Sequence, residues 1–407
     1  MTSASGEAIP WLPPVPPHWK VERGRFVFRQ LALRPEPDDG VVTVFRDGQV
    51  TLRENRRADG FMVALQELGY QRVRKGDLVI HGMDAFAGAI GVSDSTGKCT
   101  PEYAVLEPYR RDFSNEFFAR CLRVMAWQNF IYVICPSVRE RAPRFRYETF
   151  KDVLLPVPPA DEQHRIAGFL DRKTAAIDAL IAKKERLIEL LQEKRQALIT
   201  HAVTKGHDPN VPMKDSGVEW LGSVPAHWTV RMLKFVATFQ RGHDLPAEQR
   251  RDGPFPVVSS GGTIGTHDIA ACRGPGIVTG RYGSIGQFHL VETDFWALNT
   301  ALYTKTLWGN SPRFVFYALS VLRDLFEMES KKSAVPGVDR NDLHVYSVAV
   351  PPVEEQEAIA KHLDAIVGRI DGIVRRTATS VEKLREYRQA LITAAVTGKL
   401  DVSKEAA

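Results

Sequence analysis

Residues 157–181 read VPPADEQHRIAGFLDRKTAAIDALI, and 193 residues further on, residues 350–374 read VPPVEEQEAIAKHLDAIVGRIDGIV. The copies stay in register without a gap as far as RQALITHAVT (195–204) and RQALITAAVT (388–397). No proline stands between Pro159 and Pro209, and none follows Pro352. Pro-Pro followed by acids (Asp161, Glu162; Glu354, Glu355) suits a helix start, where free N–H groups and the dipole favour negative charge. Gly206 and Gly398 stand where C-terminal stops are expected. Each copy is therefore predicted to be one long helix.

Apolar residues recur along one stripe of each helix: Ile166, Leu170, Ile177, Ile181, Ile188, Leu191, Leu198 and Ala202, then Ile359, Leu363, Ile370, Val374, Val381, Leu384, Leu391 and Ala395. Steps of three, four and seven give a narrow helical seam with charged residues on the other faces. Some 43 helical residues would extend for roughly 65 Å, too far for one small domain to cover the stripe. Two such stripes in one chain most simply bury each other as an antiparallel coiled coil. The alternative is two amphipathic helices, each packed on its own domain.

A second repeat sits upstream of each helix. WLPPVPPHW (11–19) returns as WLGSVPAHW (220–228), and the match continues to Phe26-Val27 and Phe235-Val236. The stretches between these signposts differ in length and do not align. The chain thus reads as one scaffold unit used twice to carry two different heads. The expected segments are a globular domain over 1–155, a helix over 156–206, a linker over 207–222, a second globular domain over 223–348 and a second helix over 349–407.

The 407 residues are 44% hydrophobic and 25% charged, with a formal net charge of +5. Those values exclude collagen-like, largely disordered and membrane-embedded classes. No apolar run approaches the ~20 residues of a membrane span, and the N-terminus lacks a basic start before an apolar run, so a cytoplasmic location is expected. Four cysteines without a C-x-x-C pair argue against a disulfide framework or a zinc ribbon. Mild basicity is compatible with a nucleic acid partner without requiring one.

Both globular regions mix strand and helix text, which predicts an α+β class. VRKGDLVIHGM (from Val73) and GPGIVTGRYGSIGQFHL (from Gly274) read as strands broken at glycine turns, and EFFARCLRVMAWQNF (from Glu116) and SPRFVFYALSVLRDLFEME (from Ser311) as amphipathic helices. Basic and aromatic residues collect in loop-like text: Arg53, Arg56 and Arg57; Arg139, Arg141, Arg144 and Arg146 with Phe145 and Tyr147; Arg281 with Tyr282; Lys331 and Lys332. Such groups suit phosphate and base-edge contacts, against the plain alternative of a solvated surface.

Catalytic signatures fail. Gly91 and Gly97-Lys98 have the wrong spacing for a phosphate loop, and Cys99 replaces its Ser or Thr. Gly280, Gly283 and Gly286 are misspaced for a dinucleotide fingerprint. Asp171-Arg172-Lys173 lies on the predicted helix without an upstream Pro-Asp strand. There is no Asn-Pro-Pro-Tyr or Asp-Pro-Pro-Tyr, and no metal-binding histidine spacing. No catalytic or metal site is expected, which leaves a binder with two unlike heads on a helical spacer.

These residues resemble a known family. VPPADEQHRIAGFLDRKTAAIDALI with RQALITHAVTKG is similar to the central conserved region of the DNA-specificity subunit of type I restriction-modification systems. VPPVEEQEAIAKHLDAIVGRIDGIV with RQALITAAVTGKL is similar to its C-terminal conserved region. DSGVEWLGSVPAHW (from Asp215) resembles the entry to the second target-recognition domain, while the first entry, SGEAIPWLPPVPPHW, departs from that spacing. The resemblance implies two target-recognition domains, each reading one half of a split, asymmetric double-stranded DNA site, with the paired helices as a ruler; within those domains it adds His81, Asp84 and the turn Ser259, Ser260, Gly261, Gly262 to the basic and aromatic loop residues as DNA-binding candidates. It implies that the helices also dock two modification (methyltransferase) subunits, and it implies association with restriction (ATP-dependent translocase and nuclease) subunits, and no membrane. S-adenosylmethionine, ATP and Mg²⁺ would belong to those partners, with no cofactor in this chain. A structural coiled-coil adaptor without DNA readout is the competing reading.

Overall fold

The computed structural model describes residue 11 and residues 14–56, 68–135, 144–331 and 337–405. The chain divides into two compact units. Unit 1 comprises residues 1–183 and 380–407, and unit 2 comprises Lys184–Thr379.

The strands of unit 1 are β1 (Lys20–Arg23), β2 (Phe28–Gln30), β3 (Val42–Val44), β4 (Val50–Leu52), β5 (Gln71–Val73), β6 (Leu78–His81), β7 (Ile90–Val92), β8 (Gly97–Cys99), β9 (Tyr103–Pro108) and β10 (Leu154–Val157). Its helices are α1 (Gly24–Val27), α2 (Asn115–Trp127), α3 (Phe130–Ile134) and α4 (Tyr147–Phe150), followed by α5 (Ala160–Lys205), whose first part belongs to it. Unit 2 takes the rest of α5, then β11 (Met213–Asp215), β12 (Ser223–Pro225), β13 (Thr229–Met232), β14 (Thr238–Arg241), β15 (Phe255–Ser259), β16 (Gly262–His267), β17 (Gly276–Gly280), β18 (Phe288–Val291), β19 (Trp296–Ala297), β20 (Ala301–Thr306) and β21 (Ser347–Val350). Its helices are α6 (Pro312–Val321), α7 (Arg323–Ser330) and α8 (Arg340–His344), and it takes most of α9 (Val353–Val396).

The two units are built alike. Each contains a four-stranded antiparallel sheet, in the order β2-β9-β6-β7 or β14-β20-β17-β18. Each also pairs the strand after its entry Trp with the strand before its long helix. Lys20 faces Val157 in unit 1, and Thr229 faces Val350 in unit 2. Both facings keep the 209- and 193-residue steps of the sequence repeats, so the repeats mark a real structural unit. The variable text between them shares strand order without sharing side chains.

The long helices form as the sequence predicts, and both end at left-handed glycines, Gly206 (φ 77°) and Gly398 (φ 72°). In unit 1, Ile166, Phe169 and Leu170 of α5 share a core with Ile392, Ala395 and Val396 of α9 and with Phe117, Phe118 and Phe150. Ile177 and Ile181 pack with Val381, Leu384 and Leu391. An Asp178–Arg388 ion pair (2.8 Å) flanks that seam. Residue numbers rise on one helix as they fall on the other, so the pairing is antiparallel.

Unit 2 repeats the arrangement. Ile199, Ala202 and Val203 of α5 meet Ile359, Ala360, Leu363 and Val367 of α9 in a core with Trp228, Phe239 and Phe314, and Arg195 pairs with Asp371 at 3.0 Å. Ile370 is buried, whereas Ile188, Leu191, Leu198 and Val374 are half-buried. The buried line on α5 runs through Ile199 and Val203, one position beyond Leu198, because the second half of the helix also packs on the body of unit 2. The helices are therefore structural members of both units. No helix among the described residues is long and apolar enough to cross a membrane.

Candidate nucleic-acid interface

The site rests on how each globular body is held to its helix. Gln163, fully buried, accepts the Ser114 N–H on its Oε1 (3.0 Å) and donates from Nε2 to the Pro158 carbonyl (2.9 Å). Ser114 in turn caps α2 by accepting the Phe117 N–H on its Oγ (3.2 Å). Unit 2 makes the same clamp, with Gln356 joining Ser311 N–H (2.9 Å) to the Pro351 carbonyl (2.9 Å), while Ser311 caps α6. A buried amide that satisfies both a cap and a helix entrance fixes their relative position, since breaking it strands buried polar groups. Around each clamp, His18 meets Glu162 (2.9 Å) and His227 meets Glu355 (2.8 Å). Asp171 pairs with Arg120 and, at the equivalent step, Asp364 with Arg313 and the Tyr317 hydroxyl.

At the far side of each clamped sheet, the strand next to the edge ends in an exposed turn. In unit 1, Gly82 follows β6, donates its N–H to the Glu102 carbonyl (2.9 Å) and accepts from Phe145 N–H (2.8 Å). In unit 2, Arg281 follows β17, donates to the Thr300 carbonyl (2.9 Å) and accepts from Val338 N–H (3.0 Å). Gly82 and Arg281 therefore occupy the same place in the frame, although their neighbours differ completely.

The unit 1 turn opens on a cavity of about 650 Å³ lined by Thr43, Val44, Phe45, Arg46, Asp47, Arg56, His81, Asp84 and Tyr103. Arg46 donates to Asp84 (2.9 Å), and His81 Nδ1 lies 3.2 Å from the same carboxylate. The His81 ring lies over Tyr103 with centroids 4.5 Å apart. The Arg56 guanidinium sits 4.1 Å above the Phe45 ring and pairs with Asp47 at 2.8 Å. Burial pushes His81 below the usual imidazole range despite the pull of Asp84, so the ring is neutral at pH 7. Burial also drives the Tyr103 phenol up to about 12, keeping it protonated. The result is a pocket with guanidinium donors, a carboxylate acceptor and aromatic walls.

In unit 2 two Ser-Gly turns lie side by side. The hairpin Ser259-Ser260-Gly261-Gly262 joins β15 to β16, and Arg281-Tyr282-Gly283-Ser284 follows β17. A Cβ on Gly283 would lie 3.9 Å from Ser260 Oγ, and one on Gly261 would lie 4.0 Å from Ser284 Oγ. Gly262 has φ 108°, a backbone conformation that favours glycine, and a Cβ there would come within 3.2 Å of the His289 ring, a tight contact. Arg281 stacks 4.9 Å over Tyr282, which is exposed. Burial lowers the His289 pKa, and its Nε2 is buried without a partner.

The candidates read from the sequence are thus gathered in part. Arg56, His81 and Asp84 meet in the unit 1 cavity, and Arg53 lies beside it with Nε 3.5 Å from Thr43 Oγ1. Arg144 is exposed and pairs with Glu102 (3.3 Å), one residue before the Phe145 that bonds Gly82. Arg146 is the exposed N-cap of α4, and Tyr147 spends its hydroxyl on the Phe28 carbonyl (3.1 Å). Ser259, Ser260, Gly261, Gly262, Arg281 and Tyr282 come together in unit 2, while Lys331 caps the end of α7. Arg57, Arg139, Arg141 and Lys332 lie outside the described residues. The sequence reading missed Phe45, Arg46, Asp47, Tyr103, Ser284 and His289. Asp47-Gly48 between two Val-Thr runs is a hairpin signal that would have exposed the first three. It also missed the role of Gln163 and Gln356. Among the described residues no group of three or more metal-binding side chains is found.

Residues 225–382 match the type I restriction modification DNA specificity domain. The chain is 22% identical over 437 residues to the putative type I restriction enzyme MjaX specificity subunit of Methanocaldococcus jannaschii, covering 92% of this chain and 97% of that one. It is 24% identical over 282 residues to the type I restriction enzyme EcoBI specificity subunit of Escherichia coli, covering 62% of this chain and 59% of that subunit. In three dimensions it superposes on a chain from a study of assembly and conformational transition of a type I R-M system, with TM-score 0.71, 16% identity, and 95% and 100% of the two chains covered. The HsdS subunit of Thermoanaerobacter tengcongensis gives TM-score 0.53 at 15% identity, covering 95% of this chain and 98% of that one. The structures establish the shared fold, and the family resemblance read from the repeats is borne out by the specificity domain and the named relatives.

Proposed function

We propose that this chain is the DNA-specificity subunit of a type I restriction-modification complex. Each unit reads one half of a bipartite, asymmetric site, and the antiparallel helices set the gap between the halves. Half-sites about one helical turn (~34 Å) apart would present the same side of the duplex to both units. Exposed arginines around each turn supply phosphate contacts and salt-dependent affinity, and the side chains at the turns supply base-edge contacts. The residues assigned to this role are Arg53, Arg56, His81, Asp84 and Arg144 in unit 1 and Ser259 to Gly262, Arg281 and Tyr282 in unit 2.

The observation that carries the reading is one frame with unlike side chains at one equivalent turn. Gly82 and Arg281 make the same backbone bonds, yet unit 1 offers His81, Asp84 and Arg46 there, and unit 2 offers Arg281, Tyr282 and paired serines. A structural adaptor has no reason to keep the frame and diversify the turn. Two different half-sites demand both.

This chain supplies the address and no chemistry. Two modification subunits dock on it and use S-adenosylmethionine to methylate an adenine in each half, which requires the base to leave the stack. Restriction subunits contribute ATP- and Mg²⁺-dependent translocation and cleavage. The complex works on cytoplasmic DNA. Selecting bound duplexes from a random pool with the chain and its modification subunit tests the reading. It is expected to return two unlike short motifs at a fixed gap, and a pool without enrichment would refute it.

A further inference from the structure

In unit 2 a third turn stands between the two Ser-Gly turns. Leu298 to Ala301 lead from β19 into β20 and are closed by Ala301 N–H on the Leu298 carbonyl (2.9 Å), which puts Asn299 and Thr300 at the apex. Leu298 N–H bonds the carbonyl of Val258 (2.8 Å), one residue before the Ser259 hairpin, and the Thr300 carbonyl receives Arg281 N–H (2.9 Å). One backbone bond to each side therefore holds Asn299 between the hairpin and the Arg281 turn. Asn299 is half-buried and Thr300 is exposed. Unit 1 differs here: Glu102 takes the place of Thr300 by receiving Gly82 N–H (2.9 Å), so Pro101 stands where Asn299 does.

A further segment orders the Asn299 amide. β14 ends at Arg241, and a Cβ on Gly242 would lie 2.2 Å from the Leu298 carbonyl oxygen and 2.5 Å from that of Ala297, so glycine is what lets the two backbones touch. His243 N–H bonds the Ala297 carbonyl (2.7 Å), and Asp244 then lies against Asn299, whose Nδ2 donates to its carboxylate. A carboxylate only accepts, so Asp244 fixes which end of the amide is the nitrogen. One amide hydrogen is spent there. The second hydrogen and Oδ1 are left as a donor and an acceptor on one small planar group.

Asparagine is an ordinary turn residue because its side chain bonds the backbone of its own turn. Here the amide reaches Asp244 in another segment instead. In the major groove adenine presents its N7 acceptor beside the N6 donor, and an asparagine amide matches that edge with two hydrogen bonds. Arginine matches guanine, and serine hydroxyls meet either base. Neither Ser259–Gly262 nor Arg281–Ser284 contains an amide side chain. We infer that Asn299, its amide set by Asp244, is the residue by which unit 2 selects an A·T pair, with Asp244 as its positioning residue. This rests on the function proposed above, which places an adenine in each half-site.

The test selects duplexes from a random pool with the full chain and its modification subunit, wild type beside variants. Asn299→Ala is expected to relax one A·T position of one half-site by about ten- to hundredfold, with the other positions and the whole second half retained. The retained half reports that the chain is folded, and Asn299→Asp, close in shape but without the donor, serves if the alanine variant does not fold. Asp244→Ala is expected to relax the same position, and Asp244→Asn, which keeps an acceptor, to restore it. Unchanged selection by a folded Asn299 variant would overturn the inference. So would relaxation at a G·C position, or relaxation spread evenly over the half-site, which would make Asn299 a strut of the turn. In each of those cases a bipartite wild-type motif leaves the proposed function standing, whereas a wild-type pool without enrichment would overturn that function itself.

Discussion

Gln163 and Gln356 show how much one buried amide can settle. Each ties a helix cap to the entrance of a long helix and has no solvent to fall back on. Gln163→Leu leaves the Ser114 N–H and the Pro158 carbonyl unpaired, and is expected to cost about 1–3 kcal/mol, seen as a lower thermal midpoint for unit 1. Arg281 is assigned to recognition in the proposed function. Arg281→Ala is expected to relax selection at one position of one half-site by about 1–3 kcal/mol and leave the other half unchanged in a duplex-selection experiment. His344 links stability to pH. Its Nε2 accepts the Phe239 N–H (2.9 Å), and burial, with Arg340 and Lys234 nearby, lowers its pKa from 6.5. A histidine held neutral by the fold contributes stability above its unfolded pKa and loses it as pH falls through the lowered value. Thermal midpoints are therefore expected to drop from pH 7 to pH 5, and His344→Gln, which keeps an acceptor, is expected to flatten that slope.

At the scale of elements, the long helices were legible because their pattern repeats for more than forty residues and appears twice. Proline limits, acidic starts and glycine stops all agreed with it. Within each unit the helices pair antiparallel, and the seam is sensitive to charge. Ile181→Asp places a carboxylate among Ile177, Val381 and Leu384, and is expected to destabilise unit 1 by about 3 kcal/mol or more, whereas Leu187→Asp on an exposed face is expected to be nearly neutral by denaturant titration. The globular bodies were legible only in outline. β6, β17, α2 and α6 could be read from strand text, amphipathic text and Pro312. Their common sheet order could not, because backbone bonds carry it and the side chains of the two bodies are unrelated. The Ser259–Gly262 turn and Arg281 could be named singly, but only the fold puts Ser260 beside Gly283. The one-position offset from Leu198 to Ile199 escaped periodicity because the second half of α5 faces the body of unit 2 as well as α9.

At the scale of the whole molecule, the chain is one unit written twice with its turns rewritten. The clamp, the entry Trp and the strand pair before the helix recur; the cavity of unit 1 and the serine-glycine turns of unit 2 do not. Under the proposed function, a constant frame with variable turns lets recognition change without rebuilding the scaffold. Mapping adenine methylation across the genome of cells that carry the chain with its modification subunit tests this most directly. The expected result is one bipartite motif with unlike halves and a fixed gap, the gap alone changing when one heptad is inserted at Lys183-Lys184 with its match in α9. Methylation at a single contiguous motif, or none that depends on this chain, would contradict it.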